Sequence, residues 1–410
     1  MPKAPTTRKS LHSTAEEPER AYLVGVQLNS ERDKWRGEAS LAELSMLADT
    51  AGAVVVGTAL QRMDSPSPAT YIGKGKLDEI RKLGADDGPA SGHPGAYTMV
   101  IFDDELSPSQ QANLEDALKV KVLDRAALIL DIFAMRARTR EGRLQVELAQ
   151  TEYLLPRLKG QWSHLERLSG KSGAPGAIGV RGPGETQIET DRRLARKRIL
   201  KLKEQIEDVR NQRSLYRRHR EREGVSIIAL VGYTNAGKST LMRVLSKDAE
   251  VFVQNQLFAT LDPLTRKIYL DGTHPALLTD TVGFIQKLPT ALVAAFRATL
   301  EELTDAALLL HVVDITHPDA ARQSQTVENT LRDLKLDGKP RITVLNKVDQ
   351  VPDADGKPVN SIAELTSFQE SLAANIPGAV LISAEKRWGI DLLKQRLIEA
   401  LDRQPAAVQG

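Results

Sequence analysis

The chain has 410 residues, of which 41% are apolar and 27% charged, and its net charge is +2. That balance excludes a disordered or fibrous chain and leaves room for two or three domains. There is no cysteine, which excludes disulfides and Cys-ligated zinc. The longest apolar run, Ala306 to Val313, is broken by His311 and closed by Asp314, too short to span a bilayer. The first twenty residues lack the apolar stretch of a signal peptide, so the expected location is the cytoplasm.

Residues 1–20 read as a tail. Residues 21–140 alternate strands with amphipathic helices. Strands are expected at Tyr22–Leu28, Ala53–Ala59, Thr98–Phe102 and Lys121–Asp124, with helices over Leu41–Thr50, Lys76–Leu83 and Pro108–Leu118. That order predicts a small parallel sheet covered by helices. Gly73-Lys74-Gly75-Lys76 lacks the spacing of a phosphate loop and reads as a turn entering a helix. Residues 141–222 change character. Leu144, Leu148, Thr151, Leu155, Leu158, Trp162 and Leu165 recur at four-three spacing, as do Ala195, Ile199, Leu202, Ile206 and Val209. The two arms form an antiparallel helical hairpin with a glycine-rich tip at Gly170–Gly184, and Pro156 is expected to kink the first arm. From Arg192 to Arg222, thirteen Lys or Arg stand against four acids. That density is found both in nucleic-acid footprints and on solvated helix faces.

Residues 225–404 carry the chemistry. The buried strand Ser226–Val231 runs into Gly232-Tyr233-Thr234-Asn235-Ala236-Gly237-Lys238-Ser239, followed by Thr240 and a helix. Strand, glycine-rich turn and helix make a phosphate loop whose amides and helix terminus attract anionic oxygens. Lys238 is expected at the β- and γ-phosphates and Ser239 on Mg²⁺. Asp280-Thr-Val-Gly283 ends an apolar strand, placing Asp280 near Mg²⁺ and the Gly283 amide near the γ-phosphate. Thr260, in Phe258-Ala259-Thr260-Leu-Asp-Pro, is the expected switch threonine that closes over metal and γ-phosphate, with Thr265 as the competitor. Lys238, Thr260 and Gly283 are therefore the expected catalytic set, and Ser239, Thr260 and Asp280 the metal set. Asn346-Lys347-Val-Asp349 chooses the base, because a carboxylate can accept from both guanine N1–H and N2–H₂, a donor pair that adenine lacks. Ser383-Ala384 is expected to offer a backbone amide near guanine O6. Four motifs in this order, each at a strand end, predict GTP and GDP as ligands and GTP hydrolysis as the reaction. Phe284 follows Gly283 where a glutamine could orient water, so slow intrinsic hydrolysis and acceleration by a partner are expected. Asn235 either helps hold a monovalent cation such as K⁺ or braces the loop. The fold class is α/β: a P-loop G domain with a mixed, mostly parallel sheet, preceded by the small α/β domain and the hairpin.

These residues resemble the HflX family of translation-associated GTPases over about residues 21–404. The segments that carry the resemblance are Tyr71–Leu77, Leu130–Gln150, Arg181–Arg193, Gly232–Leu241, Phe258–Pro263 and Asp280–Ile285. The resemblance implies a protein that binds the large ribosomal subunit and splits or recycles stalled ribosomes under stress. It also implies that the hairpin and amino-terminal domain approach ribosomal RNA. Lys171, Arg181, Arg192, Arg193, Arg196, Arg217 and Arg218 then become candidate RNA contacts. Relative to the family pattern, a small carboxy-terminal domain of some members is expected to be missing, and the tip and the loop Gly84–Ala96 look longer. The competing function is a GTP-regulated RNA-binding or assembly module acting off the mature ribosome. A weaker alternative is a regulatory GTPase acting on another protein. A monomer is expected, since a short antiparallel hairpin needs no partner chain.

Overall fold

The computed structural model describes residues 18–31, 37–85, 97–169, 183–222, 225–247, 257–258, 260–262, 264–287, 303–352, 357, 359, 361–365, 376 and 378–403; the side chains of 31, 85, 159–169, 183–188, 213–222 and 365 lie outside that description. In the amino-terminal part, β1 (Arg20–Leu28), β2 (Val54–Met63), β3 (Met99–Phe102) and β4 (Lys121–Asp124) form a parallel sheet in the order β2-β1-β3-β4. Between them run α1 (Gly37–Thr50), α2 (Lys74–Ala85) and α3 (Pro108–Leu118). Helix α3 starts at the capping box that Ser107 and Gln110 make with each other's backbone. All four residues of β3 are buried, as expected for a central parallel strand covered on both faces.

A helix that the sequence patterning does not disclose follows at once: α4 (Arg125–Arg136), capped by the Asp124 carboxylate. It is buried nearly all round, from Arg125 through Leu130 and again at Ile132 and Phe133, so it lacks the one-sided apolar stripe that marks an amphipathic helix. Next come the hairpin arms α5 (Arg140–Ser169) and α6 (Pro183–Arg222), tied by Lys203–Glu152 at 2.9 Å and Arg198–Glu147 at 2.5 Å. In α6 the expected seam is real: Leu202 is fully buried, and Ala195, Ile199, Ile206 and Val209 are half-buried among exposed neighbours. Helix α5 runs unbroken through Pro156. Pro156 is exposed, where water can serve the carbonyl that its missing N–H leaves free.

The third part is a six-stranded sheet in the order β10-β9-β8-β5-β7-β6, built from β5 (Ser226–Gly232), β6 (Leu264–Tyr269), β7 (Pro275–Asp280), β8 (Leu308–Asp314), β9 (Arg341–Asn346) and β10 (Val380–Leu381). Only the β6–β7 pair is antiparallel. Helices α7 (Lys238–Ser246), α8 (Ala320–Asp333) and α9 (Ile390–Asp402) cover the sheet through Leu241, Val327, Leu331, Leu393 and Leu397, all fully buried. One apolar cluster is continuous from Leu23 and Ile101 of the first sheet, through Ile129, Phe133 and Ala149, to Phe258, Leu261, Phe284 and Ile285. The two sheets therefore share buried surface through α4 and the base of α5.

Candidate nucleotide site

Strand β5 delivers Gly232 at the mouth of the sheet, and the loop Tyr233–Gly237 turns into α7. Gly237 makes the turn at φ +94°, and a methyl there would collide with Asn346 Nδ2, so both conformation and space require glycine. Lys238 is the first residue of α7 and is 6% exposed. Its Nζ donates to the carbonyls of Gly232 at 3.1 Å and Tyr233 at 2.8 Å. Burial lowers its pKa to about 8, with the Asp280 carboxylate pulling the other way. Asp280 closes β7 and is 1% exposed, and burial holds its carboxyl above the usual range against the pull of Lys238 and its hydroxyl donors.

Three oxygens meet at this point. Ser239 Oγ donates to Asp280 Oδ2 at 2.7 Å, Thr260 Oγ1 donates to the same oxygen at 2.9 Å, and the two hydroxyls lie 3.0 Å apart. Thr265 is placed elsewhere: its hydroxyl pairs with Thr279 at 2.9 Å across β6 and β7. Asp280 Oδ1 and Thr234 Oγ1 are buried with no hydrogen-bond partner among the described residues. Gly283 approaches so closely that an added Cβ would lie 2.9 Å from both Lys238 Nζ and Thr234 Cα. Thr234 N–H donates to the Phe284 carbonyl at 2.8 Å and Phe284 N–H to the Gly232 carbonyl at 3.0 Å, which stitches the loop to the segment after β7. Asn235 holds a left-handed conformation at φ 60°, Ala236 is buried, and Thr240 is half-buried on α7.

At the other end of the loop, Asn346 closes β9. Its Nδ2 donates to the Ala236 carbonyl at 2.9 Å and its Oδ1 accepts from Ala384 N–H at 3.0 Å, so one side chain braces the phosphate loop and the turn after β10. Lys347 is left-handed at φ 68° and pairs with Asp314, at the end of β8, at 2.6 Å. Asp349 is half-buried in the short 3-10 turn Val348–Gln350. Ser383 is fully buried, exchanges two backbone hydrogen bonds with Trp388, and accepts from Lys386 N–H through Oγ at 3.0 Å.

Two expected site residues point away from the phosphate loop. Phe258 is 2% exposed and packs edge-on against Phe133 of α4, with ring centroids 4.6 Å apart, so its ring belongs to the core between the two sheets and not to a nucleotide contact. The Tyr233 side chain likewise leaves the loop, and its hydroxyl donates to Glu43 of α1. Ala259, Lys171 and Arg181 lie outside the described residues, as do the side chains of Arg217 and Arg218. Arg193 and Arg196 are exposed on α6 and Arg192 is half-buried.

The sequence pattern missed the polar network behind Tyr233. Gln286 N–H donates to the Tyr233 hydroxyl at 3.0 Å. Gln286 Nε2 donates to Ser40 Oγ at 2.9 Å, and Ser40 Oγ donates to Asp103 at 2.6 Å. Arg125, 1% exposed, pairs with Glu43 and, at 2.8 Å, with Asp103. Burial works against the guanidinium charge, but Glu43 and Asp103 outweigh it and raise the Arg125 pKa. Lys287 lies 2.5 Å from both Asp103 and Asp104. Burial raises the Glu43 carboxyl, opposed first by Arg125 and then by Tyr233. The network couples phosphate loop, post-β7 segment and first sheet, and its members stand too far apart in sequence to form a motif.

Residues 38–134 match a family model described as GTP-binding GTPase N-terminal, residues 136–220 one described as GTP-binding GTPase Middle Region, and residues 227–347 one described as 50S ribosome-binding GTPase. The GTPase HflX of Alkalihalophilus pseudofirmus is 49% identical over 335 residues, covering 82% of this chain and 75% of its own. That of Caldanaerobacter subterraneus is 44% identical over 394 residues, covering 96% and 82%. A solved GTP-binding protein from Sulfolobus solfataricus in complex with GDP is 24% identical and covers 94% of this chain and 99% of its own, with a TM-score of 0.45. With three consecutive family models matched, curated relatives at this identity over most of both chains, and a phosphate-loop motif in the turn between β5 and α7, the chain is a GTPase and belongs to the HflX family.

Proposed function

We propose that this GTPase binds the large ribosomal subunit and ribosomal RNA in the cytoplasm, as a monomer, and splits or recycles stalled ribosomes under stress. The observation that carries this reading is the match of residues 227–347 to a 50S ribosome-binding GTPase model, joined in one chain to the matched middle region. The exposed guanidiniums of Arg193 and Arg196 suit RNA phosphates, and we extend the same role to Lys171, Arg181, Arg192, Arg217 and Arg218. Among the described residues no helix is long and apolar enough to cross a membrane.

Within the site, Gly232 and Thr234 to Gly237 offer backbone amides to the phosphates, and Lys238 exchanges its two carbonyl partners for phosphate oxygens. Magnesium fits the hard-oxygen set of Ser239, Thr260 and Asp280, where Asp280 Oδ1 is buried and unpartnered. When bound, that ion neutralises charge on the β- and γ-phosphates. Gly283 presents its amide to the γ-phosphate. Asp349 accepts from guanine, the Lys347 stem covers the ring, Asn346 holds the two loops at fixed spacing, and Ser383-Ala384 supplies an amide for O6. Asn235, left-handed at φ 60°, would hold a potassium ion beside the phosphates through its side-chain oxygen. Phe284, 3% exposed, is committed to the core and has no polar atom with which to orient water, so fast turnover depends on a partner.

GTP turnover measured with and without purified large subunits at matched salt tests the reading. Stimulation of at least tenfold is expected. Absence of both stimulation and co-sedimentation would remove the ribosome as the partner and leave the GTPase intact.

A further inference from the structure

Thr260 stands between two anchors, and neither lies in the G domain. On one side, Leu257 and Phe258 are 2% exposed, and Phe258 packs edge-on against Phe133 of α4. On the other, Leu261 is 3% exposed in the same cluster, and Asp262 reaches the start of α5. Asp262 Oδ2 accepts from the backbone N–H groups of Arg138 and Thr139, each at 2.8 Å, and Oδ1 accepts from Thr139 Oγ1. Thr139 is itself the cap of α5, its Oγ1 accepting from Gly142 N–H at 3.0 Å. A carboxylate from the switch segment is therefore seated on the positive end of a thirty-residue helix. The fit has no slack, because a methyl at Gly142 would run into Asp262 Oδ1.

We propose that Asp262 is a positioning residue for GTP hydrolysis, which holds Thr260 over Ser239 and Asp280 by latching the switch segment to the α4–α5 junction. The base of the hairpin is then part of the scaffold of the GTPase site. A displacement of α5 reaches the switch threonine across only two residues of chain. The proposal rests on the reading of Thr260 as a metal-facing switch residue. Asp262 touches neither nucleotide nor metal in this role: its oxygens are turned toward α5.

The test uses the full chain and a fluorescent N-methylanthraniloyl GTP analogue, whose release is timed with and without Mg²⁺. Thr260→Ala sets the full loss of the slowing that Mg²⁺ confers. Asp262→Ala removes the latch from the switch side, and Gly142→Ala displaces it from the hairpin side with no residue of the G domain replaced. Both should lose most of the slowing, about fivefold or more, while release of the GDP analogue changes less than twofold. Asp262→Asn should restore most of it, because a turned amide still accepts from both backbone N–H groups and donates to Thr139 Oγ1. Gly75→Ala, whose methyl meets nothing within 4 Å, is the inert control. An Asn variant as defective as the Ala variant would mean that the Asp262 charge acts directly on ion or phosphate, and the positioning role would be overturned. So would a Gly142→Ala variant that behaves like the parent. If Thr260→Ala itself changes nothing, the reading of Thr260 fails. The latch is then judged by amide exchange at Arg138 and Thr139 in the nucleotide-free chain, which must quicken at least tenfold in Asp262→Ala; unchanged protection there would overturn it independently.

Discussion

Replacing Arg125 with Met takes a cation from two carboxylates in the interface between the sheets and strands one of them. Asp103 keeps Ser40 and Lys287 as partners, but Glu43 keeps only the Tyr233 hydroxyl. Removing one member of a buried ion pair costs about 3–5 kcal/mol. The structure sets a ceiling on the Glu43 share. A stranded carboxyl can always take up a proton, and from the ordinary glutamate value of 4.5 to pH 7 that relief costs about 3 kcal/mol at roughly 1.4 kcal/mol per pH unit. Because burial already raises the Glu43 carboxyl in the parent, the expected loss of stability is at most about 3 kcal/mol at pH 7 and at most about 1 kcal/mol at pH 5. The sign follows from linkage: the folded variant holds a proton on Glu43 that the unfolded chain has released at pH 7, so its stability relative to the parent rises as pH falls. Urea denaturation of parent and variant at both pH values, followed by circular dichroism, reads the difference directly. A penalty below about 1 kcal/mol at pH 7, or one that is equal at the two pH values, would refute the account of Arg125 as the charge that neutralises Glu43.

Burial lowers the Lys238 pKa to about 8 in the nucleotide-free chain, so at pH 8.5 the amine is about three-quarters neutral. Phosphate charge should restore the proton, and GDP binding at pH 8.5 should take up that fraction, read from the dependence of calorimetric heat on buffer ionisation; at pH 6.5 this group should contribute none. Asn346→Ala leaves the Ala236 carbonyl and the Ala384 amide without their buried partner, and GDP affinity should fall by about 100-fold, some 2–3 kcal/mol. A loss under threefold by calorimetry would show that the loops hold their spacing unaided. Asp349→Asn should weaken GDP and admit xanthosine diphosphate, because an amide replaces the guanine acceptor, and unchanged guanine preference in competition would remove Asp349 as the selector.

The parts of this molecule that were legible in the sequence are those where chemistry fixes spacing. A loop built to wrap a phosphate and a segment built to reach a base edge must be compact in sequence, which is why Gly232 to Ser239 and Asn346 to Asp349 stand out as motifs. The parallel sheet of the first domain could be read from its alternation of elements, with strand ends misplaced by one to four residues. Helix α4 was missed because burial on all sides of its first half, Arg125 to Leu130, blurred its period. The direction of the Phe258 ring was not legible because Thr260 and Asp262, which follow it, face polar partners, and no local rule says that the ring just before them turns toward Phe133. Glu43, Asp103, Arg125, Tyr233 and Lys287 come from five separate elements, and a long-range charge network carries no sequence signature that one chain can reveal.

In open parallel sheets small molecules settle beyond the carboxyl ends of the strands, where the strand order reverses. The order β2-β1-β3-β4 puts that crevice between β1 and β3, where Asp103 follows directly after β3 and donates its N–H to Val24. The crevice already has an occupant, since Lys287 and Gln286 enter it from the G domain and take up Asp103 and Ser40. These side chains act as a tethered ligand, and a tether of this kind presents its group at an effective concentration on the order of millimolar. A free solute must outcompete that concentration to enter, so the mouth of the amino-terminal sheet is closed to weak ligands for as long as the two domains stay docked.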